Sequence, residues 1–292
     1  MASHDKHTRR VFLGTSGVAI ACAFAATGAR AALERPVRIG LVTDCHYAER
    51  EPANGRQYRA SVDKLTRDID FMNQQAIDCV VELGDFKDQD LVPSEQNTLA
   101  YLRRIESVFG RFKGPRYHVL GNHDMDSITK AQFQAEAENT GIDRVRTYYS
   151  FNAKGLHGIV LDANFRADGI PYARGDFDWT DANIPTAELD WLKRDLAAAT
   201  GPVAVFVHQR LDGEGDLFVN NAAEVRTILE ASGHVLAVFQ GHDHPGARTE
   251  RSGIPYFTLK ATVEAPDSGA HAIAEFGPDG GVNVTGPAVA GY

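Results

Sequence analysis

Apolar and polar positions along the chain fall into short β-rich runs separated by stretches with helical spacing. Val37-Arg38-Ile39-Gly40-Leu41-Val42-Thr43 is a β-rich run ending in Asp44. Residues 58–75 then place Val62, Leu65, Ile69 and Met72 on one helical face. The alternation recurs: Cys79-Val80-Val81-Glu82-Leu83 ends at Gly84-Asp85, a helix is predicted over 94–109, and Tyr117-His118-Val119-Leu120 ends at Gly121-Asn122. Such alternation implies parallel strands joined by crossover helices. In the middle, 148–151 and 155–163 read as strands, an antiparallel pair across Asn152-Ala153-Lys154. Beyond a loop over 164–185 come a helix near 186–199, a strand over 202–207 ending at His208, and a helix over 221–231. A strand over 234–239 ends at Gln240-Gly241-His242. Strands are predicted over 254–259, 270–276 and 282–285, with turns at Ser252-Gly253 and Asp279-Gly280, while the charged stretch 247–251 reads as a solvated turn. No composition break marks a linker, so 32–292 is expected to form a single domain.

Five of the predicted strands share one feature, which is that they end in residues able to bind a metal ion. In an open α/β sheet the carboxyl ends of the strands form the ligand-binding rim, so Asp44, His46, Asp85, Asn122, His208, His242 and His244 can converge although distant in sequence. Singly each is weak, because an Asp after a strand is usually a turn residue or helix cap. Together they would be an unlikely accident of turns. Oxygen and nitrogen donors without thiolate suit manganese, iron, zinc or cobalt alike. His118, His157, His234 and His271 lie in or beside strands outside this set and are assigned to structure.

Composition narrows the partner. Apolar residues make up 43% and charged residues 24%, which excludes global disorder. The balance is acidic, 30 Lys+Arg against 39 Asp+Glu, so polymeric nucleic acid is not expected. A small anionic substrate remains open because bound cations can outweigh the distant field. Arg50, Arg56, Tyr58, Arg59 and Arg210 follow rim positions and are expected either to form surface salt bridges or to contact an anionic substrate. The loop 164–185 is too long for a bare connection, and Phe165, Tyr172, Phe177 and Trp179 within it argue against disorder. Phe165, Tyr172 or Phe177 is expected either to pack the loop or to stack on a nucleobase.

The first thirty-one residues read as an export signal. Arg9-Arg10-Val11-Phe12-Leu13 precedes a mildly apolar stretch and Ala29-Arg30-Ala31, and resembles the twin-arginine type. The densest apolar run, 18–26, is too short to span a bilayer, so no stable membrane anchor is expected. Lipid attachment at Cys22 is the alternative. The expectation is export by the twin-arginine machinery to the periplasm. Cutting after Ala31 leaves 26 basic and 38 acidic side chains, net −12. Cys45 and Cys79 then remain, expected about 20 Å apart at opposite ends of neighbouring strands and therefore free.

Asp44-Cys45-His46, Gly84-Asp85, Gly121-Asn122-His123-Asp124, His208 and Gly241-His242-Asp243-His244 resemble the motif blocks of the calcineurin-like metallophosphoesterases, in order and without a gap. Tyr47, Leu161-Asp162-Ala163-Asn164-Phe165, Asp176-Phe177-Asp178-Trp179 and Pro255-Tyr256-Phe257-Thr258-Leu259 are similar to the subgroup related to manganese-dependent ADP-ribose/CDP-alcohol diphosphatases. The resemblance implies a four-layer α/β/β/α sandwich of two mixed sheets, with a dinuclear site at the carboxyl ends of the strands. It implies Asp44, His46 and His244 on one divalent ion, Asn122, His208 and His242 on the other, and Asp85 bridging. It implies hydrolysis of a phosphodiester or pyrophosphate bond of a small nucleotide-type compound, in which a metal-bridging hydroxide would attack phosphorus and His123, oriented by Asp124, would protonate the leaving group. Asp88 stands where purple acid phosphatases carry a tyrosinate ligand, which disfavours an iron-tyrosinate site. Rival readings are a cyclic-nucleotide or glycerophosphodiester phosphodiesterase, a broad phosphomonoesterase, or a non-enzymatic binding module on the same fold.

Overall fold

The computed structural model describes residues 32–265 and 269–290. The export-signal expectation for 1–31 lies outside the described residues. The first sheet begins with β1 (Val37–Val42), paired in parallel with β2 (Cys79–Glu82), which pairs in parallel with β3 (Arg116–His118). Crossovers are α1 (Ser61–Met72) and α2 (Glu95–Phe109). The helix expected over 58–75 is shorter, because 58–60 forms a separate 3-10 turn and Asn73 caps the end. Ser94 accepts the Asn97 backbone N–H at 3.3 Å, supplying the start of α2. α3 (Lys130–Glu136), not anticipated from the sequence, is opened by a Thr129/Gln132 capping box.

The second sheet starts with the antiparallel hairpin β4 (Tyr149–Ala153) and β5 (Leu156–Val160). Its turn residues Lys154 and Gly155 both take positive φ, 50° and 96°, which matches the right-handed twist of the flanking strands. α4 (Thr186–Ala198), β6 (Val203–Phe206), α5 (Ala222–Ser232) and β7 (Val235–Gln240) follow, with β5, β6 and β7 parallel. The expected solvated turn over 247–251 is instead an edge strand, β8 (Ala247–Arg251), paired antiparallel with β9 (Ile254–Thr258) through Ser252-Gly253. Its charges do face solvent. The chain then returns to the first sheet with β10 (Ala272–Phe276) and β11 (Val282–Thr285), giving orders β11-β10-β1-β2-β3 and β4-β5-β6-β7-β9-β8.

Three apolar clusters define the layers. One, with Leu41, Val81, Phe206, Phe239 and Phe276, lies between the sheets. A second packs α1, α2 and α3 on the first sheet, and a third packs α4 and α5 on the second. The four-layer α/β/β/α sandwich is therefore present, with both sheets buried on two faces as parallel strands require. Ile39 pairs with Cys79, so Cys45 sits well beyond the partner strand's start, and both thiols are buried and free. Among the described residues no helix is long and apolar enough to cross a membrane.

Candidate metal centre

The carboxyl ends of β1, β2, β6 and β7 meet where the two sheets converge, and each delivers donors. Asp44, His46 and His244 form one group and Asp85, His208 and His242 another, while His46 also stands with Asp88 and His123 in a third. His46 Nε2 lies 3.6 Å from an Asp44 oxygen and 3.2 Å from His244 Nε2, which is itself 3.4 Å from Asp44. Asp85 Oδ2 stands between the groups, 3.5 Å from His46 Nε2 and 3.2 Å from His208 Nε2. His242 Nδ1 is 3.2 Å from His208 Nε2. The Asn122 side-chain oxygen and His242 Nε2 are buried without a hydrogen bond, and Asp44 Oδ1 has only the two imidazole nitrogens near it. Buried polar atoms without partners are costly, and nitrogens of two imidazoles facing each other gain little unless a cation lies between them. The donor set thus fits two divalent cations, with six of the seven sequence-expected ligands in these groups and Asn122 on the wall of the same cavity.

The outer nitrogens are aimed by neighbours. His208 Nδ1 donates to the Leu83 carbonyl at 2.8 Å, and His244 Nδ1 is held by Glu264 at 2.8 Å. His46 Nδ1 faces Asp88 at 3.4 Å. Each leaves Nε2 for the cluster. Asp44 accepts from the Thr43 hydroxyl at 2.6 Å and the His242 backbone N–H at 3.1 Å. Burial opposes ionisation of Asp44 and Asp85. The histidines outweigh it, His244 and His46 at Asp44 and His208 at Asp85, and both carboxylates stay well below their usual range. Burial and the adjacent His208 push His242 down to about 3, leaving it a neutral donor.

Glycines allow this crowding. A Cβ on Gly121 would fall 2.2 Å from the Asp85 amide nitrogen, and one on Gly241 would fall 2.2 Å from the Thr43 hydroxyl oxygen.

His123 sits in the same cavity, but its partner is not Asp124. His123 Nδ1 is 2.7 Å from Asp126 Oδ2, whereas Asp124 is buried and accepts backbone N–H groups of Gly121, Asp85 and Phe86 at 2.9, 3.0 and 3.0 Å. The expected orienting role of Asp124 is corrected: it ties the Gly84 loop to the Asn122 loop. Burial lowers the His123 pKa, but Asp85 and Asp126 prevail and carry it up to about 9 before any cation is counted.

A cavity of about 560 Å³ opens over the cluster, lined by Arg56, Tyr58, Asn122, His123, Trp179, Leu217, His242 and Glu264 among others. Arg56 and Tyr58 are thus at the site, as expected. Arg210 is not on its wall, being held by Asp212 at 2.8 Å and Asp243 at 2.5 Å. Tyr172 is fully buried and stacks on Phe177 at 4.0 Å, while Phe165 lies against the Lys130 ammonium at 3.5 Å. None of those three rings lines the cavity. The sequence reading missed Asp126, Glu264 and Thr43 as supports. Asp126 had a signal, the three-residue spacing from His123, whereas Glu264 approaches from a separate segment.

Over residues 37–246 the chain matches the family described as Calcineurin-like phosphoesterase. Similar proteins include a manganese-dependent ADP-ribose/CDP-alcohol diphosphatase of Oryza sativa, 26% identical, with 78% of this chain and 84% of the relative covered. A protein of the same name from Danio rerio is 24% identical, with 83% and 92% covered. Among solved structures, a dimetal phosphatase from Danio rerio aligns with TM-score 0.70 at 21% identity over 82% of this chain and 92% of that one. At that identity the likeness speaks for the fold.

Proposed function

The chain belongs to the calcineurin-like phosphoesterases, and from that premise we propose that it hydrolyses the diphosphate bond of a small nucleotide-type compound, using two divalent cations with manganese preferred. The observation that carries the reading is the pair of buried donor groups joined by Asp85 beneath an open cavity. Asp44, His46 and His244 would hold one cation, Asn122, His208 and His242 the other, and Asp85 both. When bound, such ions supply positive charge for phosphoryl oxygens and a means of activating water at neutral pH.

The chain's own groups do the rest. With His123 Nδ1 held by Asp126, Nε2 is the nitrogen left to deliver a proton to the departing oxygen. Arg56, on the cavity wall, adds a cation for substrate phosphate. The cavity, about 560 Å³, has room for far more than one phosphate group, which favours a compound with bulk on the phosphorus. The names of the relatives support the diphosphate of an ADP-ribose or CDP-alcohol type.

The test is kcat/KM with Mn²⁺ on ADP-ribose, a CDP-alcohol, cyclic AMP, a glycerophosphodiester and p-nitrophenyl phosphate. The diphosphates should lead. A clear preference for cyclic AMP or the glycerophosphodiester would instead establish a phosphodiesterase.

Residues 1–31 are proposed as a twin-arginine export signal, with the enzyme acting in the periplasm. Replacing Arg9 and Arg10 with Lys should trap the precursor inside; unchanged delivery would exclude that route.

A further inference from the structure

Of the four aromatic rings in 164–185, three are engaged by other side chains, Tyr172 fully buried and Phe165 and Phe177 half-buried. Tyr172 and Phe177 stack on each other, the Tyr172 hydroxyl donates to the Asp178 carbonyl at 3.0 Å, and Phe165 covers Lys130. Trp179 is different. Its side chain is 43% exposed, lines the cavity over the donor cluster, and its ring centre lies 5.6 Å from that of His242, tilted by 59°.

The backbone on both sides of Trp179 is fixed. Asp178 accepts from the Thr180 backbone N–H and hydroxyl at 3.0 and 2.8 Å, and Asp181 N bonds the Asp178 carbonyl at 3.0 Å. Farther out, Gly175 N donates to Met125 O and Asn183 N to Ala163 O, each at 3.0 Å. An indole held open to water on a braced turn is already organised for a flat partner, so little ordering cost remains at binding.

We propose that Trp179 is the platform on which the heterocyclic base of the substrate stacks, placing the attached diphosphate over the donor cluster. This rests on the hydrolase reading above and deepens it to a base-bearing substrate. Because the ring adjoins His242, a base stacked on it leaves its phosphates a ribose further along, within the cavity that holds Arg56 and His123. Stacking of this kind contributes about 1 to 3 kcal/mol, equivalent to roughly 5- to 150-fold in affinity.

Two measurements test it. The chain has two tryptophans, and the other, Trp191, packs on Tyr148 at 5.1 Å away from the cavity wall. In manganese-loaded W191F the remaining emission reports Trp179. AMP and CMP should quench it saturably, and ribose 5-phosphate should not; absence of quenching by either nucleotide overturns the proposal. Kinetics of W179L and W179F on ADP-ribose and on a base-free dialkyl diphosphate form the second arm. W179L keeps apolar bulk against His242 without a π-face, so its kcat/KM should fall about 10- to 100-fold on ADP-ribose and at least tenfold less on the base-free compound. W179F should recover most of the loss. Equal losses of W179L on both substrates would assign the ring to shielding His242 and overturn the proposal. If the wild type hydrolyses no nucleoside diphosphate compound, the hydrolase reading fails by itself, while nucleotide quenching still decides the role of Trp179.

Discussion

Asp44, His46, Asp85 and His242 hold φ at 50°, 44°, 56° and 66°, a region that side chains other than glycine rarely adopt. Strain of this kind persists where surrounding structure dictates it, and here four donors are turned inward by it. Their identity was legible because strand-end Asp and His residues stand out; their strained backbones were not, since nothing in a residue's name fixes φ. The misassignment of Asp124 has a similar cause. Adjacency in sequence favoured it, but 123–125 forms a 3-10 turn with three residues per repeat, so the group aligned with His123 is Asp126. His123→Ala should therefore retain both metals and lower kcat by about 10² to 10⁴ on poor leaving groups, with a smaller loss on p-nitrophenyl phosphate. Asp126→Asn should follow the same leaving-group pattern at lesser amplitude. Metal analysis alongside the kinetics checks this, and loss of metal in H123A would refute the separation of roles.

Strands were read well where apolar runs were continuous, because β1, β2, β6 and β7 are covered on both faces and leave an uninterrupted apolar signature. β8 escaped for the opposite reason: as an edge strand carrying Arg248, Glu250 and Arg251 it exposes charge, which protects an edge from pairing yet resembles a turn. α3 escaped because seven residues give too short a period to recognise. In the loop 164–185 the aromatics were visible, but which of them face inward depends on long-range contacts. Tyr172 is fully buried against Phe177, so Tyr172→Ala should cost about 3 to 5 kcal/mol of stability by leaving a cavity, with any kinetic loss following from unfolding. Denaturant titration beside kinetics decides this; a KM effect at unchanged stability would return Tyr172 to the site.

Between them the two sheets hold the donor cluster at their meeting edge and, deeper in the first sheet, a further buried ionisable group, and each couples the whole molecule's stability to the solvent. The metal cluster should bind cations only when folded, so a hundredfold excess of Mn²⁺ over Kd should add about 3 kcal/mol per site, and chelation should lower Tm accordingly. The second group is His118, fully buried, with Nδ1 3.2 Å from Glu82 and Nε2 3.0 Å from Glu106, boxed by Phe86 and Phe109. Burial alone would depress its pKa, yet the Glu106 carboxylate raises it to about 9, and burial holds the Glu82 carboxyl above its usual range. In both cases the folded state holds its proton more tightly than the unfolded chain, whose values lie near 6.5 and 4.5. Stability from His118 is therefore complete below pH 6.5 and is lost as pH rises through about 9; the Glu82 shift has the same sign, beginning its decline above 4.5. The His118 contribution is on the order of 3 kcal/mol. Unfolding free energy measured by denaturant should fall steadily from pH 6.5 to 9, and His118→Gln should flatten that slope while lowering stability at pH 6. A wild-type profile that is level across this window, or a slope unaltered in H118Q, would show that the buried imidazole does not hold its proton in the native state.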